Sequence, residues 1–122
     1  MDERVRAALG RDRTIDITTT GRKSGQPRRI EIWFHNLDGQ VYITGTPGKR
    51  DWYANLLAHP EFTFHLKESV TADLRARARP VTDENAQRAV FERILRRIGR
   101  PADQASSWVA DSPLVAVDFI TE

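Results

Sequence analysis

"RRIEIWFHNLDGQVYITGT", residues 28–46, decides how this chain folds. Ile30, Ile32 and Phe34 alternate with Glu31, Trp33 and His35, the period-two pattern of a strand with one face on a core. Asp38-Gly39 stands at the centre of a hairpin turn, a dipeptide that accepts the positive φ such turns require. Val41 and Ile43 then alternate along the returning strand. An antiparallel hairpin is the first expected unit.

Working outward, "DRTIDITTT" (12–20) alternates through Ile15 and Ile17 ahead of the hairpin. Behind it, "PGKRDWYANLLAHP" (47–60) has a glycine turn and then the helical spacing of Trp52, Leu56 and His59, with Tyr53 and Leu57 beside them and Pro60 as the stop. "EFTFHLKE" and "VTADLRARA" alternate through Phe62, Phe64 and Leu66 and through Val70, Ala72 and Leu74, so a second hairpin turns near Glu68-Ser69. "VTDENAQRAVFERILRRIGRP" (81–101) reads as a helix capped by Thr82 or Asp83, with Ala86, Val90, Ile94, Leu95 and Ile98 as its apolar stripe and Gly99 and Pro101 as its end. "PADQASSW" reads as a loop. "SPLVAVDFITE" closes the chain as a strand through Val115, Val117 and Phe119. The expected fold is mainly β with α: a small barrel of about six mostly antiparallel strands with helices packed outside, in one domain spanning 1–122 whose residues 1–12 are a short lead.

Composition narrows the chemistry. Without cysteine there is no disulfide, thiolate metal site or cysteine nucleophile, which suits a reducing, cytoplasmic setting. The opening "MDERVRAALGRDRT" interleaves acids and arginines and has no apolar core for a signal peptide, and no apolar run approaches a membrane span. His35, His59 and His65 lack metal-ligand spacing, so no metal is expected. Net charge is only +2, but its placement is uneven. Arg75, Arg77 and Arg79, and Arg88, Arg93, Arg96, Arg97 and Arg100, read as solvated faces of a strand and a helix. Arg22, Lys23, Arg28 and Arg29 differ, because glycines and hydroxyls accompany them in "TTTGRKSGQPRR" (18–29). A turn from Gly21 to Gly25 can aim several backbone N–H groups at one oxygen cluster while Ser24 donates its hydroxyl and Lys23 or Arg22 supplies charge. The glycine spacing and the following strand exclude a Walker A loop.

Three stretches, "TTTGRKSGQPRR", "DGQVYITGTPGKRDWYANLLAHP" and "SPLVAVDF", together resemble the deazaflavin-dependent nitroreductase family, small split-barrel oxidoreductases that use reduced cofactor F420. The resemblance covers about residues 13 to 120. It implies a split β-barrel related to the flavin-binding split barrels, F420 as cofactor with FMN as the less favoured choice, and hydride transfer to a quinone, an enone or a nitro compound. It further implies that Arg22, Lys23, Ser24 and Gly25 hold the phosphate of the cofactor tail with Arg28 and Arg29 nearby, that Trp52 and Asn55 belong to the cofactor motif, and that Thr46, Pro47 and Gly48 lie against the ring. Tyr53 is the candidate acid for the product, with solvent as the equal alternative. The loop 45–50 is shorter than the commoner family form, and Ile30, Glu31 and Ile32 stand where an apolar or proline-containing segment is usual. A small-molecule acceptor is the expected partner, with no membrane span and with a homodimer as the assembly to look for. The rival readings are a non-catalytic F420 or flavin carrier and a nucleic-acid-binding barrel. No nucleic-acid partner is expected, because most aromatics fall on core positions.

Overall fold

A computed structural model describes residues 1–45 and 51–120. Six strands, β1 (Thr14–Thr20), β2 (Pro27–Leu37), β3 (Gln40–Thr44), β4 (Glu61–Leu66), β5 (Ala72–Pro80) and β6 (Leu114–Phe119), close into a barrel in the order β1-β2-β3-β6-β5-β4. Every neighbouring pair is antiparallel. The hairpin turns at Asp38-Gly39 as the sequence predicts: both residues have positive φ, 53° and 97°, and Asn36 Oδ1 accepts the Gly39 N–H at 2.8 Å. Among the described residues four α-helices lie outside the strands: α1 (Glu3–Arg11), α2 (Asp51–Ala58), α3 (Glu84–Arg97) and α4 (Ala105–Asp111). None among the described residues is long and apolar enough to cross a membrane.

Two apolar cores result. The barrel interior holds Ile15, Ile17, Phe34, Val41, Ile43, Phe62, Phe64, Leu66, Val115 and Val117, capped by Trp52 and Leu56 of α2 and by Ala8 and Leu9 of α1. The second core lies between the barrel wall and α3 with α4, around Leu37, Phe91, Ile94, Leu95, Ala105 and Leu114. β6 separates the two, which is why Leu114 to Val117 are buried on both faces.

The structure adds detail to the lead and corrects two other local readings. The lead 1–12 contains a helix whose Asp2 side chain accepts the Arg4 N–H and whose Leu9 carbonyl accepts from Asn36 Nδ2 at 3.0 Å. "PADQASSW" is a 3-10 turn, Ala102–Gln104, running into α4. In α3 the stripe centres on Phe91, Ile94 and Leu95, while Ala86 is exposed; Asp83 is the cap, accepting the Ala86 N–H at 2.8 Å.

A further departure shapes the site. Ile30 is exposed and Ile32 only half-buried, whereas His35 on the opposite alternation is buried. Pairing supplies the reason. β2 pairs with β1 from Pro27 to Trp33, but β3 joins it only from Phe34 onward. The first half of β2 therefore has one open edge among the described residues, and the barrel is split there.

Candidate functional site

Six residues, 21–26, connect β1 to β2 at this split. Their turn closes on itself: the Gly21 N–H donates to the Gln26 carbonyl at 2.8 Å, the Gly25 N–H to the Gly21 carbonyl at 2.9 Å, and the Gln26 N–H to Ser24 Oγ at 3.1 Å. Gly25 has φ +70°, a conformation that favours glycine. Gly21 is needed for space, because a Cβ there would lie 2.6 Å from Ser24 Oγ and 3.2 Å from the Gln26 carbonyl oxygen. Ser24 Oγ accepts within the turn, so its hydrogen remains available to a ligand. Among the described residues nothing accepts from the backbone N–H groups of Lys23 and Ser24, and the side chains of Lys23 and Arg28 have no ion-pair partner.

α2 anchors this turn. Asn55, 4% exposed, accepts both the Arg22 backbone N–H (3.0 Å) and Arg22 Nη1 (3.1 Å) on Oδ1, and donates from Nδ2 to Thr19 Oγ1 (3.3 Å). Arg22 Nη2 reaches Asp51 at 3.4 Å. The result is a cleft of about 380 Å³ lined by Thr19, Gly21, Arg22, Lys23, Ser24, Arg28, Ile30, Asp51, Trp52 and Asn55. It can take an anion: amide donors, a hydroxyl and unpaired cations converge on it.

Beside it runs a larger and more apolar groove of about 610 Å³ along the open edge of β2. Ile30, Asp51 and Trp52 line both. Its walls include Ile32, Trp33 and His35 of β2, Thr44 and Gly45 at the end of β3, and Ile98, Arg100 and Trp108 from the α3–α4 region. Burial, with Arg97 and Arg13 nearby, pushes the His35 imidazole down to about 4, so it is neutral at pH 7.

Seven of the residues singled out from sequence thus gather here: Arg22, Lys23, Ser24, Arg28, Trp52 and Asn55 line the anion cleft, and Gly25 shapes its turn. Two do not. Arg29 points to the other side of β2 and donates to Asp16 Oδ2 at 3.0 Å, a carboxylate that Lys67 also holds at 2.7 Å. Tyr53 is half-buried against the barrel core, its ring edge-on to Trp52 at 6.0 Å, and lines neither cleft. Thr46, Pro47 and Gly48 lie outside the described residues. His35, Trp33, Arg100 and Trp108 were not anticipated as site residues. Strand alternation put Trp33 and His35 together, but only the missing β3 partner makes that face a wall.

Comparisons with known proteins bear on the fold and the family. A family model described as F420H(2)-dependent quinone reductase matches residues 3–115. A conserved hypothetical protein from Mycobacterium tuberculosis superposes with a TM-score of 0.76 at 21% identity, over 99% of this chain and 82% of that one. A structure described as an F420 reductase gives 0.73 at 20% identity, over 99% and 97%. The heme storage protein HutZ from Vibrio cholerae gives 0.73 at 16% identity, over 97% and 89%. Identities this low establish a shared split-barrel fold; the family match reaches further, and the chain belongs to the F420H2-dependent quinone reductase family.

Proposed function

We propose that this protein binds F420 and uses its reduced form to reduce a quinone, an enone or a nitro compound. The observation that carries the reading is the junction of an anion cleft with an apolar groove through Ile30, Asp51 and Trp52. A cofactor with a phosphorylated tail and a flat ring needs those two environments side by side. The same fold serves heme storage in one neighbour, so the barrel alone does not select a cofactor; the 21–28 turn favours a phosphorylated one.

The residues present fit that group. The Lys23 and Ser24 N–H groups, the Ser24 hydroxyl, and the Lys23 and Arg28 cations would hold the phosphate, while Trp52, with Thr46, Pro47 and Gly48, would border the ring. When bound, reduced deazaflavin supplies a hydride, and water supplies the proton that completes reduction of the acceptor. The chain itself positions and encloses. Asn55 fixes the turn, Gly21 lets it close, and the tryptophan-lined groove would hold the acceptor against the ring. No nucleophile is called for.

Equilibrium titration with F420 and, separately, FMN, followed by turnover against a quinone panel, tests the reading. F420 is expected to bind more tightly than FMN, and Lys23→Ala to weaken F420 by roughly 5- to 150-fold, the loss of about 1 to 3 kcal/mol for a charge-assisted contact. Absence of F420 binding, or an unchanged dissociation constant in Lys23→Ala, would overturn it.

A further inference from the structure

The far end of the groove carries features that the cofactor's phosphate and ring do not account for. Besides the shared Trp52, two tryptophans, Trp33 and Trp108, line the groove, and Trp33 is 53% exposed although it lies on a strand. Flat aromatic walls suit a flat occupant. His35 is only 7% exposed and lines both the groove and a small adjoining cavity, and among the described residues its ring makes no hydrogen bond within the protein, so its solvent-reachable ring nitrogens are open to a ligand.

Charge gives the occupant's sign. The two acids that border the groove are neutralised from outside it, Glu31 by Lys67 and Asp51 by Arg22. Arg100, by contrast, has no ion-pair partner among the described residues, and Arg13 and Arg97 line a small adjoining cavity together with His35. Arg97 donates to the Asn36 carbonyl, which leaves its charge uncancelled. The groove is therefore aromatic along its walls, has one neutral hydrogen-bonding ring in its lining, and is cationic beyond it.

We propose that this end of the groove binds the electron acceptor, and that the acceptor is a planar conjugated carbonyl compound with an anionic substituent. Its carbonyl oxygen accepts from the His35 imidazole, its ring system lies among Trp33, Ile98 and Trp108, and its anionic group pairs with Arg100. The inference rests on the hydride-transfer reading above for the acceptor's role. The ligand class rests on the groove alone.

The tryptophans make the test direct, because all three report on the groove. Cofactor-free protein is titrated with anthraquinone-2-sulfonate and with uncharged 2-(hydroxymethyl)anthraquinone, following tryptophan fluorescence. The sulfonate is expected to bind about tenfold more tightly, the equivalent of about 1.4 kcal/mol. Arg100→Met should bring it down to the level of the uncharged compound, and His35→Phe should weaken both compounds about tenfold with the far-ultraviolet circular dichroism retained. Arg93→Met, whose guanidinium pairs with Asp38 away from the groove, controls for net charge and should keep the preference. Equal affinities in the parent protein would overturn the proposal. So would a preference lost in Lys23→Ala but kept in Arg100→Met, since the anion would then sit on the 21–28 turn. A parent protein that shows the Arg100-dependent preference but binds no F420 would keep the groove as a ligand site and overturn the hydride-transfer reading.

Discussion

Asn55 Oδ1 accepts two hydrogen bonds from one residue, Arg22, through its backbone N–H and its guanidinium. That contact ties α2 to the connection between β1 and β2, so the element bearing Trp52 and the turn bearing Lys23 form one unit. Asn55→Ala should leave the Arg22 N–H unsatisfied in a partly buried place and cost about 1–3 kcal/mol of stability. It should also weaken F420 binding roughly tenfold, because a turn free to move pays ordering entropy on binding. Urea unfolding and cofactor titration of the same variant check both. Unchanged stability would mean that the turn holds its shape without α2.

Gly21 and Gly10 make a paired test of what glycine does here. At Gly21 an added methyl meets Ser24 Oγ at 2.6 Å and the Gln26 carbonyl at 3.2 Å, so Gly21→Ala must displace the atoms that form the anion cleft. At Gly10, in α1, an added methyl meets nothing within 4 Å. Gly10→Ala should therefore stabilise by about 0.5–1 kcal/mol through the helix preference alone. Gly21→Ala should lower cofactor affinity by tenfold or more with a smaller effect on melting. If the two variants behave alike in the binding assay, the close packing around Gly21 does not control the site.

These residues also show where sequence reading stops. The barrel was legible because β1 to β5 carry a local alternation, β6 is a short apolar run, and the Asp38-Gly39 turn fixes one register. The 21–25 turn was legible because its glycines, hydroxyl and cations are contiguous. α4 was not, since seven residues with two serines give too short a period to separate a helix from a loop. Nor was the groove. It exists because β3 joins β2 only from Phe34 onward, and how far two strands pair is set by the whole barrel and written in neither strand. The same non-local cause exposes Ile30, places His35 in a wall, and brings Arg100 from the end of α3 to a strand some seventy residues earlier.

His35 should make stability depend on pH above the range where carboxylates act. Its value falls from 6.5 in the unfolded chain to about 4 in the fold, through burial first and then through Arg97 and Arg13. Between those values the unfolded state binds more protons, so stability is complete above pH 6.5 and declines as pH falls toward 4. The slope is at most about 1.4 kcal/mol per pH unit, giving a loss of about 2 kcal/mol between pH 7.5 and 5.0. Asp16, held low by Lys67 first, and Asp118, held low by Arg79 first, lose their contributions only below that window. His35→Gln should flatten the dependence between pH 7.5 and 5.0 in urea titrations. A variant as pH-sensitive as the parent would place the titrating group elsewhere.

Turnover, finally, should depend on placement of the reactants more than on a protein acid. Trp52 borders both the anion cleft and the groove, and its ring is buried in the barrel core. Tyr53 faces the core beside it and lines neither. Hydride transfer needs donor and acceptor carbons aligned near contact, and a displacement of about 1 Å can slow it roughly 100-fold. Trp52→Ala removes the wall shared by the two clefts and should slow single-turnover oxidation of bound reduced F420 by a quinone about that much, with some loss of stability from the cavity left behind. Trp52→Phe, which keeps an aromatic wall, should recover much of the rate and so separate placement from folding. Tyr53→Phe keeps the edge-on contact with Trp52 and removes only a hydroxyl, and should fall well short of the roughly 100-fold or greater loss expected for a general acid. A collapse of the rate in Tyr53→Phe, with F420 affinity and melting intact, would show that the hydroxyl reaches the reacting atoms in the bound state and that proton delivery belongs to the protein.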